Sequence, residues 1–300
     1  VAGTKLLYFR FTNHAKMSII IKNMRVGEIM VTITEKAPAK INLSLDARFQ
    51  HTNGDHEWQM VMTSVDLADY VEITPRLDQQ IRIRTTSGFL PVDQRNLAYQ
   101  AARLLQRQYQ VRQGAQITIK KQIPVAAGLG GGSSDAAAVL RGLNRLWRLE
   151  RPLSELAHLG LQIDSDVPYC VYSRTAYVSG RGDEIELLPE LPPFWVILAK
   201  PRVSVSTPSI LRAIDYAKLT VHPAAAPLVT AIHQGDFQQM TQVMGNALEP
   251  ITSKRHPEIS NLKHRMLRFG AEVAQMSGSG PTVFGLCARA SRAQHVYNSM

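Results

Sequence analysis

The chain has 300 residues, 45% of them hydrophobic, and a formal charge of +10 at neutral pH; it is long enough for two domains or one large one, and the charge points to anionic partners such as phosphorylated small molecules. Two isolated cysteines, Cys170 and Cys287, exclude a disulfide framework and suit a reducing cytoplasm, and apolar runs such as Phe194–Ala199 are far too short to span a membrane. The histidines form no HExxH pair, no acidic loop has EF-hand spacing, and the dispersed basic residues carry no zinc-finger or helix-turn-helix signature, which argues against a structural metal and against nucleic-acid binding.

Residues 1–29 carry a net +4 without a sustained periodic pattern and read as a disordered extension or upstream translation. The folded part is expected to begin near Met30, where VTITEKA gives a strand signal that Ile41–Phe49 continues. Turn residues Thr52-Asn53-Gly54-Asp55 separate this from an apolar run through Val65, and Val71–Ile73 and Ile81–Arg84 add further strands. Asn96–Tyr109 places Leu97, Ala101, Leu104 and Leu105 on one side of a helix, and the alternation of Ile117, Ile119 and Ile123 marks Gln116–Ile123 as the next strand.

That strand runs into PVAAGLGGGSSD. The loop, comprising Pro124, Val125, Ala126, Ala127, Gly128, Leu129, Gly130, Gly131, Gly132, Ser133 and Ser134, has almost no side chains, and the apolar helical pattern from Ala136 to Trp147 opens where it ends. Ser133, Ser134 and Asp135 stand where N-cap residues belong, and a helix start offers unpaired N–H groups that glycines allow a polyphosphate to approach. The segment reads as an anion cradle. It is not a Walker A loop, because Gly132 occupies the place of the lysine, and Ser133 stands where a dinucleotide fingerprint starting at Gly128 needs its third glycine.

Leu153–Leu161 reads as a helix capped by Ser154, followed by IDSDVPYC, in which Pro168 restricts the backbone after Asp164 and Asp166. Either aspartate serves as a base or merely caps a turn on this pattern alone. Ala176–Val178, Glu184–Leu188 and Trp195–Ala199 are strand candidates, and the proline-rich LPELPP between the last two reads as a boundary between halves. Ile210–Tyr216, Ala224–His233, Phe237–Met244 and Pro257–Phe269 follow helical patterns, and Glu272–Met276 and Thr282–Cys287 are strands around a Ser277-Gly278-Ser279-Gly280 turn.

Three stretches together, APAKINLSL (Ala37–Leu45), PVAAGLGGGSSDAAA (Pro124–Ala138) and MSGSGPTVF (Met276–Phe284), resemble in order and spacing the three motifs of the GHMP kinase superfamily. SDVPYC, SGRGDEI and PRVSVSTP extend the resemblance to the branch acting on the cytidine diphosphate of methylerythritol in non-mevalonate isoprenoid synthesis. The resemblance implies a two-domain α+β fold, divided here as 30–182 and 183–300, with the active site in the cleft between domains. It implies ATP and Mg²⁺, a small-molecule acceptor phosphorylated on its 2-hydroxyl, a cytoplasmic enzyme, and a monomer or weak homodimer. The glycine loop would hold ATP, Ser134 would meet Mg²⁺ directly or through water, and Asp166 would be the catalytic base with Lys40 offsetting charge on the moving group. Asn42, His56, Gly278, Ser279, Gly280 and Thr282 would bind the acceptor, and Asp135 would support the helix start.

The acceptor side departs from the family pattern. Asp55 stands where a base-stacking tyrosine is usual, Leu211 where a second aromatic is common, and Asp164 where relatives have glycine. Losing a stacking face weakens base binding by roughly 1–3 kcal/mol, so a shifted acceptor, or a silent nucleotide-binding relative, stands as the alternative reading.

Overall fold

Two long strands joined by a tight turn form the spine of the fold. The structure, a computed structural model, describes residues 5–10, 18–24 and 28–300, with side chains from residue 32 onward. Strands β1 (Lys5–Arg10) and β2 (Ser18–Met24) precede β3 (Glu28–Gln50), which returns as β4 (His56–Arg76). After them come β5 (Ile81–Thr85), α1 (Leu97–Gln108), β6 (Gly114–Lys120), α2 (Gly131–Leu146), α3 (Leu153–Gly160), α4 (Val167–Tyr172), β7 (Ala176–Gly180) and β8 (Glu184–Leu187). The remainder holds β9 (Trp195–Lys200), α5 (Thr207–Leu211), a 3-10 turn (Tyr216–Lys218), α6 (Ala225–Gln234), α7 (Phe237–Val243) and β10 (Gly245–Asn246). It closes with α8 (Glu249–Arg255), α9 (Glu258–Arg268), β11 (Val273–Met276), β12 (Val283–Cys287) and α10 (Ala290–Ser299).

The larger sheet runs β10-β3-β4-β6-β5 with β2, β7 and β8 attached, and the smaller runs β1-β9-β12-β11. On β3, residues Ala37, Ala39, Ile41, Leu43 and Leu45 share one parity, yet they enter two cores. Ala37 and Leu45 join the helical core of Leu105, Leu140 and Leu143, whereas the middle three pack with Val196, Leu198, Phe284 and Leu286 of the smaller sheet. Register irregularities at Pro38/Lys40 and Asn42/Ser44 lie beside the two switches, and such irregularities re-aim side chains. β3 thereby serves both halves, and Lys40 sits where it changes cores.

The α+β architecture follows the sequence reading, with four differences. Within the expected 1–29 extension, β1 pairs with β9 and β2 with β3; the β-forming LLYF and SIII segments meet strand edges able to accept partners, and residues 1–4, 11–17 and 25–27 lie outside the described residues. β8 pairs with β7 in the larger sheet, so the change of sheet falls at the proline-rich 188–194, the boundary candidate LPELPP, and not after residue 182. The helix expected over 210–216 is instead α5 and the 3-10 turn, because Pro208 begins it early. Helix α3 takes Pro152 as its N-cap, which puts Ser154 inside the first turn.

Candidate active site

The glycine loop leaves β6 and enters α2 through alternating left-handed residues, Ala126 (φ +50°), Gly128 (φ +72°) and Gly130 (φ +64°). Gly130 is the N-cap of α2 and no side chain caps the helix, so α2 begins at Gly131, Ser133 and Ser134 fall inside its first turn, and Asp135 lies just past it. The expected serine cap is thus replaced by a glycine start. Three loop carbonyls bind the protein: Lys40 N–H donates to Leu129 O (3.0 Å), Ser277 Oγ to Gly128 O (2.9 Å) and Thr282 N–H to Ala127 O (3.3 Å). The first N–H groups of α2 have no intrahelical acceptor. Residues Pro124 to Ser133 line a cavity of about 420 Å³ between the two halves.

Lys40 and Asp166 face each other at this cavity. The Lys40 ammonium, almost wholly buried, lies 3.2 Å from Asp166 Oδ2 and donates to Asn42 Oδ1 at 2.9 Å. Asn42 Nδ2 meets Met60 Sδ at 3.4 Å, which orients the amide oxygen toward the lysine. Asp166 is the N-cap residue of α4 and keeps 27% of its side chain exposed, enough to meet a reactant. A Cβ on Gly130 would stand 2.7 Å from Lys40 Cγ, so the absence of a side chain there lets the loop lie directly over the lysine.

The second glycine turn closes the opposite wall. A Cβ on Gly128 would come within 2.4 Å of Ser277 O. Gly278 and Ser279 line the cavity, and Ser279 Oγ is 2.7 Å from Thr207 Oγ1. Asn246 Nδ2 braces the turn by donating to Met276 O and Gly278 O.

Two family models match the chain: the GHMP kinases N terminal domain over residues 96–174 and the GHMP kinases C terminal over residues 228–300. A 4-diphosphocytidyl-2-C-methyl-D-erythritol kinase of Lactiplantibacillus plantarum is 62% identical over 89% of this chain and 93% of its own length. One from Levilactobacillus brevis is 64% identical over 89% and 94%. The chain belongs to the GHMP kinase family. Among solved structures, a crystal structure of 4-(cytidine 5'-diphospho)-2C-methyl-D-erythritol kinase superposes with a TM-score of 0.73 at 31% identity, covering 88% of this chain and 93% of that one. Homoserine kinase from Cytophaga hutchinsonii, at 21% identity and a TM-score of 0.75 over 92% and 91%, shares the fold.

Within this GHMP kinase, some expected site residues stand elsewhere than the sequence suggested. Ser134 is fully buried and donates to Pro38 O at 2.7 Å, so its hydroxyl is turned from the cavity; Ser133 lines it instead. Gly280 and Thr282 do not line the cavity: a Cβ on Gly280 would stand 2.6 Å from Met276 Sδ, and buried Thr282 contributes its N–H to the loop. Asp164, which departs from the family glycine, is half-buried and accepts from Ser133 Oγ (2.8 Å) and Asp166 N–H (3.0 Å). Burial, then the charge of Asp166, pushes its carboxyl above the ordinary value.

His56 lies outside the cavity lining, beside Trp58, which does line it. Its Nδ1 is 2.6 Å from Tyr216 Oη, and the two rings stand 6.3 Å apart at 33°. Burial holds the imidazole below its ordinary pKa despite the opposing charge of Asp55, so the ring is neutral at neutral pH. Asp55 and Leu211 remain without an aromatic ring, and the Tyr216 ring reaches His56 from the 3-10 turn, five residues past Leu211. Asp55 itself is half-buried and pairs with Arg181 at 3.3 Å. No local pattern in LRAIDYAKL marks Tyr216 as a partner of His56, because the contact spans 160 residues in sequence.

The sequence also gave no signal for the charges beneath the loop. Asp69 accepts from Gln122 N–H and Ile123 N–H, and Lys121 bridges Asp69 (2.5 Å) and Asp135 (2.8 Å). Both ends of the loop are therefore tied to one carboxylate of β4. Burial raises Asp135 to about 7 against the pull of Lys121.

For Mg²⁺, no cluster of three or more His, Cys, Asp or Glu exists among the described residues. The cavity does offer Ser133, Asp164 and Asp166 as oxygen donors. A magnesium ion carried on nucleotide phosphates needs only one or two such ligands and keeps its waters, so this donor set fits.

Proposed function

We propose that this chain transfers the γ-phosphoryl group of ATP to the 2-hydroxyl of 4-diphosphocytidyl-2-C-methyl-D-erythritol. The observation that carries the proposal is the buried Lys40 ammonium 3.2 Å from Asp166 Oδ2, at a cavity walled by a glycine loop that opens a helix. The names of the relatives above supply the acceptor.

Phosphoryl transfer depends on positioning and on stabilising charge. In this reading the N–H groups at the start of α2 hold the phosphates, and Leu90, Pro91, Leu97 and Val125 form the apolar end of the cavity for the adenine. The acceptor oxygen attacks the γ-phosphorus as its bond to the ADP oxygen breaks, and the hydroxyl proton passes to Asp166. Lys40, oriented by Asn42, faces the charge on the moving group. Mg²⁺, held by the phosphates with Asp164 and Ser133, would supply neutralisation of the triphosphate. Gly278 and Ser279 border the acceptor, and His56 with Tyr216 and Trp58 offers a ring surface and hydrogen bonds to its cytosine.

The working form in this reading is a monomer or weak homodimer in the cytoplasm, a reducing compartment that suits two buried, free cysteines. Coupled ADP release tests the activity: turnover with the cytidine diphosphate substrate should exceed that with a panel of other alcohols by orders of magnitude. Equal or greater turnover with another alcohol would overturn the acceptor assignment.

A further inference from the structure

Arg141 lies nearly three turns into α2, away from the cavity lining, and its guanidinium reaches two other segments. Nε donates to Glu35 (3.1 Å) and Nη2 to Lys36 O (2.9 Å), both on β3. Nη1 donates to Cys170 O (2.8 Å) and Val171 O (3.2 Å), at the C-terminal end of α4. Those carbonyls end a helix and lack intrahelical N–H donors; Cys170 O also accepts from Ser173 Oγ (2.7 Å), and the guanidinium adds its own bonds to both and complements the helix dipole. Arg145 also pairs with Glu35, holding the carboxylate in place from the next turn of α2.

The elements joined in this way are those that carry the reacting groups. β3 bears Lys40 four residues beyond Lys36, Asp166 caps α4 four residues before Cys170, and α2 opens at the glycine loop. The Lys40–Asp166 distance is set between β3 and α4, and α4 is too short to fix its own position. We propose that Arg141 is a positioning residue for catalysis: its planar fork locks α4 against β3 and α2, and so holds Asp166 opposite Lys40 and the phosphate loop. Only a guanidinium has the donor geometry to bond these acceptors together, and a lysine in its place supplies a point charge. Burial lowers Arg141 to about 10, which leaves it charged at neutral pH.

The proposal rests on Asp166 and Lys40 being the reacting pair, and steady-state kinetics of Arg141→Lys and Arg141→Met test it. An ångström of misplacement costs about a hundredfold in rate, so kcat should fall about tenfold to a hundredfold in both variants, with both KM values within about threefold of wild type. Leu105→Ala, in the same core, controls for lost stability and should keep kcat at temperatures where it remains folded. Wild-type kcat in Arg141→Lys, or a Leu105→Ala loss equal to that of Arg141→Met at equal Tm, would overturn the proposal. Should both arginine variants fail to fold, Glu35→Gln, which weakens one anchor, should lower kcat about threefold with KM unchanged; an unchanged kcat there would also overturn it. Asp166→Asn separates the two claims: if that variant is inactive while Arg141→Lys is fully active, only the role of Arg141 fails.

Discussion

Replacing Gly128 by alanine should separate the two glycine turns. Its φ is +72°, and an added Cβ would stand 2.4 Å from Ser277 O, 2.8 Å from Gly280 O and 3.1 Å from Gly280 N, all backbone atoms that no rotamer change can move. The left-handed conformation costs an L-residue about 1–2 kcal/mol. Moving the second turn about an ångström away would also break the bonds that Gly128 O and Ala127 O accept from Ser277 and Thr282, at about 1 kcal/mol each. A total of about 3–4 kcal/mol corresponds to a fall in Tm on the order of 10 °C for a chain of this size. Thermal unfolding followed by fluorescence reads this directly, with Gly88→Ala as the control because nothing lies within 4 Å of its added Cβ. kcat/KM for ATP should fall at least about tenfold in Gly128→Ala, since the loop that borders the phosphates moves. A Gly128→Ala protein within about 2 °C of wild type, with normal ATP kinetics, would refute the packing of the two turns.

Three further outcomes follow from the site. Lys40→Met should lower kcat about a hundredfold to a thousandfold while leaving the Kd of ADP within a few-fold, read by stopped-flow kinetics and calorimetry. Tyr216→Leu should raise the acceptor KM about tenfold or more with the ATP KM unchanged; an unchanged acceptor KM would remove Tyr216 from the base site. Asp135 is raised in the folded state to about 7 by burial, so the stability it contributes is present at low pH and is lost as pH rises from about 4 to about 7. Asp135→Asn removes that loss, so the Tm of the variant relative to wild type should increase from about pH 5 to about pH 8.

Local pattern made the spine of the fold legible. Alternation announced β3 and β6, and the glycine run with its following apolar helix announced the loop and α2. Features that depend on distant contacts were hidden. β1 was passed over because its partner, β9, lies some 190 residues away, and α8 and α10 are short amphipathic helices that only a neighbouring sheet or helix defines. The same divide holds at the site. Lys40, Asn42, the glycine loop and Asp166 sit in recognisable motifs, and the structure brings them together at or beside one cavity. Ser134 was misplaced because a helix that starts at Gly131 rather than at the serines turns its hydroxyl toward Pro38. Tyr216, Asp69 and Arg141 carry no local mark, since each owes its place to side-chain bonds across the fold.

Single-turnover transfer from γ-labelled ATP by Asp166→Asn, with ATP affinity measured on the same protein, addresses the central claim most directly. The account predicts that label transfer to the acceptor is abolished while ATP binds with near wild-type affinity, because the glycine loop is untouched and only the proton acceptor is lost. Transfer at the wild-type rate would contradict it.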